Sequence, residues 1–100
     1  MSMLDILSDK SLFRRQCLIN GRWCDADDNS VLAVTNPANE EQLGTVPKCG
    51  AAETRRAVAA ASAAFPAWSA LTPLQRGAYL RAWEQAVKDN LEDLAKILTL

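Results

Sequence analysis

The sequence feature that most limits the possible folds of this chain is the order of its secondary-structure signals. Strand signals fill the first half of the chain and helix signals fill the second half. An Asn-Gly pair at positions 20 and 21 lies between two short apolar runs, and this is the strongest short-range signal for a β-hairpin. A helical turn within residues 8–15 is predicted to lead into this hairpin. The predicted strands are residues 17–19, 22–24, 31–35 and 42–46.

The hairpin also predicts where two of the cysteines lie. A two-residue turn places Cys17 opposite Cys24, so their thiols would either form a redox-sensitive cross-strand disulfide or remain reduced neighbours on one face of a small sheet. We favour the reduced pair. With Cys49 the number of cysteines is odd, no CxxC pair occurs, and the chain has no histidine. The three thiols are therefore expected to be reduced and buried or half exposed, and no metal site is predicted.

Two helices are predicted directly after the strands. The first covers residues 51–65 and is expected to end at Pro66, because the residue before a proline avoids the helical region. The second has a complete start signature, with Thr72 as N-cap, Pro73 at the first helical position and Gln75 three residues after the cap.

A third helix is predicted to begin at Asn90 as N-cap, with Glu92 and Lys96 able to pair across one turn on its outer side. No glycine cap follows Leu98, so this helix is expected to be cut rather than finished. The three helices carry more apolar surface than they can bury among themselves, which predicts a partner chain or further residues over them. The predicted inward positions are Val58, Ala61 and Phe65, then Leu80, Trp83, Ala86 and Val87, then Leu91, Leu94, Ala95 and Leu98.

Composition limits both the core and the partners. The chain is 49% hydrophobic over 100 residues, but alanine supplies much of that fraction, so the predicted core is thin and a lone fold would be marginal. Eleven Lys and Arg residues are interspersed with twelve acidic ones, which speaks against nucleic acid and anionic membranes as partners. Residues 1–10 lack a basic start and a long apolar run, so a cytoplasmic protein is expected.

Other candidate sites are better explained as structure. Gly21, Gly44 and Gly50 are too far apart to form a phosphate-binding loop, so no dinucleotide site is predicted here. Arg55 and Arg56 are expected on a solvated helix face. The three tryptophans could form an aromatic cage but are predicted to pack in the core; they are Trp23, Trp68 and Trp83. No catalytic, cofactor-binding or metal-binding residue is assigned.

Five motifs in order resemble the opening of the aldehyde dehydrogenases. Residues 19–23 (Ile-Asn-Gly-Arg-Trp) match the family's ING-x-W hairpin, residues 36–38 (Asn-Pro-Ala) its NPA turn, and residues 43–47 (Leu-Gly-Thr-Val-Pro) the strand that follows. The likeness continues through its three helices, at Val58, Ala60, Ala61, Ala64, Phe65 and Trp68, then Arg76 and Leu80, then Leu94, Ala95, Leu98 and Thr99. Residues 12–16, 35–39, 46–48, 50 and 53–55 look most like the succinate-semialdehyde dehydrogenase branch, which includes glutarate-semialdehyde enzymes.

One departure from the family concerns the turn after the NPA motif. The family commonly has glycine there, whereas this chain has Glu40 after Asn39. A backbone position that needs positive φ would therefore be taken by Asn39 or be strained.

The resemblance implies an α/β parent fold with a Rossmann-like cofactor domain, of which residues 1–100 would be an incomplete N-terminal part. It also implies an oxidoreductase that uses NADP or NAD and turns succinate semialdehyde, or a related semialdehyde, into the carboxylic acid. In this family a cysteine thiolate attacks the aldehyde and a glutamate activates water, and both lie downstream of such a segment. None of Cys17, Cys24 and Cys49 sits in the matching motif.

Two hypotheses follow for the chain itself. The leading one is a non-catalytic structural part of a semialdehyde dehydrogenase, joined to the remainder of that chain in a homo-oligomer, a dimer or tetramer. The alternative is a stand-alone non-catalytic interaction module or a degraded gene product.

Overall fold

The computed structural model describes residues 3–100, which form two compact units, Arg14–Ala63 and Ala64–Leu100 together with the residues before Arg14. We call the first the strand unit and the second the helical unit, and each is described by itself. Met1 and Ser2, at the start of the segment judged unlike a signal peptide, lie outside the described residues. Within residues 3–100 the predicted order of short antiparallel strands followed by three helices is confirmed.

The first hairpin of the strand unit has the predicted register. Strand β1 (Cys17–Ile19) pairs antiparallel with β2 (Arg22–Cys24), and Cys17 stands opposite Cys24. Asn20 and Gly21 have φ angles of 51° and 73°. A turn of type I′ needs positive φ at both central residues, and asparagine and glycine are the residues that tolerate it best.

A second hairpin joins β3 (Val31–Thr35) to β4 (Gln42–Pro47), with an irregularity in the ladder between Val34 and Thr35. The strand predicted to end at residue 46 continues through Pro47, which lies opposite Val31 at the end of the ladder. A proline is tolerated there because a terminal position can do without its N–H.

In the connecting turn the positive φ falls on Glu40, at 61°, and not on Asn39. The Asn39 side chain instead accepts a hydrogen bond from the amide of Glu41 (3.0 Å), while the amide of Glu40 donates to the carbonyl of Asn36 (2.7 Å). Hydrogen bonds to Asn36 and Asn39 thus close the turn. The left-handed backbone conformation falls on Glu40, which has a Cβ and is strained by it.

Helix α1 (Ala51–Ala70) contradicts the predicted end at Pro66, since it continues for four residues beyond the proline. The preference against helix before proline is modest enough for tertiary contacts to override it. Here the Trp68 ring contacts Tyr79 of the next helix at 5.9 Å between centroids. The guanidinium of Arg76 also donates to the carbonyl of Ser69, in the last turn of α1, and to that of Leu71, directly after the helix.

Helix α2 (Pro73–Asp89) begins with the predicted capping box: Thr72 Oγ1 accepts from the amide of Gln75 (3.2 Å), and the Gln75 side chain accepts from the amide of Thr72 (2.9 Å). Helix α3 (Leu91–Thr99) follows directly. Asn90 precedes it as predicted, but its side chain makes no N-cap hydrogen bond. It donates to the carbonyl of Ala86 (2.8 Å), so the side chain serves the end of α2 and not the start of α3.

Very few side chains are buried among those the structure describes. The buried apolar residues are Leu7 and Ala26, and the buried charged ones are Glu53 and Asp93. The prediction that the three tryptophans pack in the core is wrong for this chain, because their exposed fractions are 41% for Trp23, 40% for Trp68 and 69% for Trp83. In residues 3–100 no helix has both the length and the apolar character that a membrane crossing requires.

Candidate functional site

In the helical unit, α2 carries an exposed apolar stripe formed by Leu80, Trp83 and Val87. Their spacing of three and four residues places them on one side of the helix. Their exposed fractions are 54%, 69% and 41%, although the sequence pattern is that of an inward face. The predicted excess of apolar surface on the helices is therefore present.

The exposed side chains of the stripe reduce the stability that this chain can have. Burying a large apolar side chain stabilises a protein by roughly 1.5–3 kcal/mol, and a whole domain is stable by only about 5–15 kcal/mol. Three such side chains that are 41–69% exposed forfeit several kcal/mol, which is a substantial part of the stability of a small domain. Leu91 and Leu98 on α3 extend the uncovered surface, with Leu98 88% exposed. A surface of this kind is typical of one that another part of a protein covers.

Contacts near the start of α2 hold the stripe in place. Its first turn is held by the capping box at Thr72, and Arg76 and Tyr79 reach back to the end of α1. These contacts are made by polar or aromatic side chains, and they leave Leu80 and Trp83 exposed. The sequence pattern predicted the cap at Thr72. It did not predict the contacts of Arg76, which entered the sequence analysis only as part of the family resemblance.

The helical unit is also joined to its N-terminal segment through Asp93. The buried carboxylate accepts hydrogen bonds from the amides of Ser8 (2.9 Å) and Asp9 (2.8 Å). These two backbone hydrogen bonds hold the pKa of Asp93 below its ordinary value, because they favour the charged form. Lys96, expected to pair with Glu92, donates from Nζ to the carbonyl of Ile6 (3.0 Å). Sequence reasoning missed these links, which join residues more than 80 positions apart.

In the strand unit, Arg56 binds Asp27 through two hydrogen bonds of 2.9 and 2.6 Å. The hydrogen bond from Arg56 lowers the pKa of Asp27, and Asp27 raises the pKa of Arg56. Buried Glu53 accepts from the amide of Asp27 (3.4 Å). The expectation of a solvated Arg56 is thus half right: the side chain is exposed, but it anchors the loop before β3 to α1.

The sulfur contact of Cys17 was not foreseen. Cys17 Sγ lies 3.9 Å from Cys49 Sγ, whereas Cys24 Sγ donates to the carbonyl of Arg22 (3.4 Å). All three cysteines are free and partly exposed. Partial burial, followed by the hydrogen bond with Cys17, raises the pKa of Cys49 to about 11. The hairpin pattern identified the backbone neighbour of Cys17 correctly but could not place Cys49.

The described residues offer little for a cofactor or a metal ion. No group of three or more His, Cys, Asp or Glu side chains suited to a metal ion occurs within residues 3–100. Gly21 lies in a hairpin turn, Gly44 in β4 and Gly50 before α1, so these glycines belong to three different elements and not to one loop. A dinucleotide pyrophosphate needs successive backbone amides from one such loop, and these residues do not fit it.

Known proteins resemble this chain over most of its length. Residues 23–100 match the model of the aldehyde dehydrogenase family. The chain is 54% identical to glutarate-semialdehyde dehydrogenase of Pseudomonas putida, over 93% of this chain and 19% of that protein. It is 51% identical to the NADP(+) succinate-semialdehyde dehydrogenase of Escherichia coli, over 94% of this chain and 20% of that protein.

A solved structure agrees with both matches. Succinate-semialdehyde dehydrogenase from Burkholderia pseudomallei superposes with a TM-score of 0.91 at 49% identity, over 94% of this chain and 20% of that one. The chain thus spans about a fifth of the length of the relatives it matches. On the motifs, the fold and these similarities, the chain belongs to the aldehyde dehydrogenase family.

Proposed function

We propose that this chain is the N-terminal part of the cofactor-binding domain of an NAD(P)-dependent semialdehyde dehydrogenase. The enzyme would oxidise succinate semialdehyde, or a related semialdehyde such as glutarate semialdehyde, to the carboxylic acid. The observation that carries the proposal is the exposed stripe of Leu80, Trp83 and Val87 in a chain that spans about a fifth of its relatives. The substrate class is supported by the names of those relatives, and NADP by the name of one of them.

In this proposal the chain has a structural role. The apolar faces of its helices would cover a sheet formed by other residues of the enzyme, and the hairpins would lie at the edge of the same domain. Cys17, Cys24 and Cys49 receive no catalytic role, and the residues that hold the nicotinamide cofactor belong to the rest of the enzyme. A cytoplasmic homo-oligomer of two or four subunits is part of the proposal and rests on the family resemblance alone.

A chimera tests the proposal directly. This chain would replace the matching segment of the P. putida glutarate-semialdehyde dehydrogenase, and aldehyde-dependent reduction of NADP or NAD would be measured by absorbance. We expect a folded oligomer that oxidises glutarate or succinate semialdehyde. A chimera that folds, by circular dichroism and sedimentation, but oxidises neither would overturn the assignment to the semialdehyde branch.

Two variants of the chimera test the role of the stripe. Trp83→Lys places a charge on the stripe and is expected to abolish assembly and activity, because a buried unpaired charge is severely destabilising. Gln85→Lys places the same charge on the opposite side of α2, where residue 85 is exposed and hydrogen-bonded to Asp89. That variant should remain active. Equal effects of the two substitutions would show that the stripe is not covered in the enzyme.

A further inference from the structure

We propose that Cys17 and Cys49 form a reversible thiol–disulfide pair that, once oxidised, links β1 to the segment before α1. The two sulfurs are already in contact, at 3.9 Å, although the residues are 32 positions apart. Both side chains are partly exposed, so a small oxidant can reach them. The assignment lies outside the chemistry of aldehyde oxidation and does not depend on the proposed function.

The geometry requires only a small movement. A disulfide has an S–S distance of about 2.05 Å, so the sulfurs must approach each other by about 1.9 Å from 3.9 Å. Cys17 is the first residue of β1, and Cys49 lies in the irregular segment between Pro47 and the start of α1. Neither residue is inside a helix or in the middle of a strand, so side-chain rotation and a slight shift of the irregular segment can supply the movement.

The chemistry balances with hydrogen peroxide as the oxidant. The Cys17 thiolate attacks one peroxide oxygen and the O–O bond breaks, which leaves a sulfenic acid on Cys17 and releases hydroxide that becomes water. The Cys49 sulfur then loses its proton and attacks the Cys17 sulfur; the S–S bond forms and a second water leaves. Two thiols are oxidised, one peroxide is reduced and two waters are released. A dithiol such as dithiothreitol reverses the step by exchange.

The order of events follows from the environment of Cys49. Its pKa is raised to about 11 by partial burial and by Cys17, so its sulfur is protonated at neutral pH. A protonated thiol is a poor nucleophile, which assigns the first attack on peroxide to Cys17 and the second step to Cys49. Because the deprotonated fraction of Cys49 grows as the pH rises toward its pKa of about 11, we expect formation of the disulfide to accelerate between pH 7 and pH 9.

Cys24 is the competing partner, because it stands opposite Cys17 in the hairpin. In the folded chain its sulfur is engaged with the carbonyl of Arg22 at 3.4 Å. In an unfolded chain the shorter loop would favour Cys17–Cys24, since the entropy of loop closure grows with length. The identity of the bonded pair thus reports whether the folded geometry directs the reaction.

The experiment treats the full chain with hydrogen peroxide, then counts free thiols in denaturant and maps the linked peptides by mass spectrometry. We expect monomeric chain, by non-reducing electrophoresis, with one free thiol in place of three. Cys24→Ser should still form the disulfide, whereas Cys17→Ser and Cys49→Ser should not link the remaining thiols at a comparable rate. In strong denaturant the preferred pair should change to Cys17–Cys24.

Two results of the oxidation experiment would overturn the proposal. One is a requirement for Cys24, seen as a Cys17–Cys24 peptide in buffer or as failure of Cys24→Ser to form the link. The other is oxidation that yields only chains joined to each other.

As a second readout, the oxidised chain should be cleaved about tenfold more slowly than the reduced one by a protease acting within residues 17–49, because the link restricts opening of this segment. Equal cleavage rates in the Cys24→Ser background would contradict the proposed link.

Discussion

Replacement of Glu40 by glycine should stabilise this chain. Glu40 has a φ of 61° in the turn between β3 and β4, and its side chain is exposed, so little packing is lost when it is removed. The turn keeps its hydrogen bonds, because the Glu40 amide that donates to Asn36 at 2.7 Å belongs to the backbone. Glycine changes only the conformational preference of this position.

The magnitude is a difference between two opposing effects. A left-handed conformation costs a residue with a Cβ roughly 1–2 kcal/mol, and glycine avoids that cost. Glycine also gives the unfolded chain more freedom, which destabilises the fold by about 0.4–1 kcal/mol. With both effects taken near the centres of their ranges, the expected net gain is about 0.5–1 kcal/mol. For a chain of this size that corresponds to an increase in Tm of about 2–8 °C.

The assay is urea unfolding followed by circular dichroism, with hydrogen exchange of the Asn36 and Lys48 amides as a local readout. These amides donate to Glu41 and Ser30 at the two ends of the β3–β4 ladder. Glu41→Gly is the matched control, because Glu41 is the same residue type with an ordinary negative φ. It should lose about 0.5–1 kcal/mol. If the two glycine variants change the free energy of unfolding in the same direction, backbone strain at Glu40 is not what limits the stability of this turn.

Three further predictions concern the caps and the charged contacts. Thr72→Ala should destabilise α2 by about 1 kcal/mol, measured by urea unfolding, and Thr72→Ser should lose clearly less, because serine retains the oxygen that accepts the hydrogen bond. Asp93 has a lowered pKa in the folded chain, so its contribution to stability is present at neutral pH and is lost as the pH falls through the folded-state pKa. Urea midpoints measured between pH 7 and pH 2 should therefore fall less steeply in Asp93→Asn, and an unchanged profile would contradict this role. Arg56→Met should raise the pKa of Asp27 toward its ordinary value of 3.8, followed by carboxyl NMR, but should change the urea midpoint only slightly because the pair is exposed.

Local chemistry in the sequence was sufficient for several elements. Asn20 and Gly21 dictate a tight turn with two positive φ angles, and this turn alone sets the register that puts Cys17 opposite Cys24. Thr72 and Gln75 define the start of α2 through hydrogen bonds between residues three apart. Such features depend on neighbours along the chain, so they can be predicted without knowledge of the rest of the molecule.

Contacts that the local sequence patterns did not specify decided the rest. α1 passes Pro66 because Tyr79 and Arg76 of the following helix hold its last turn, against the local preference of the residue before proline. The Asn90 side chain bonds to Ala86, an outcome that its suitability as an N-cap did not predict.

The sequence by itself determined the family, the order of the strands and helices, and the presence of apolar helix faces that the chain does not cover. Only the tertiary structure decided that Cys17 meets Cys49 and that Asp93 binds the amides of Ser8 and Asp9. The physical reason is the range of the interactions. Turn and cap preferences act within a few residues, whereas a sulfur contact across 32 positions exists only after the backbone between them has folded.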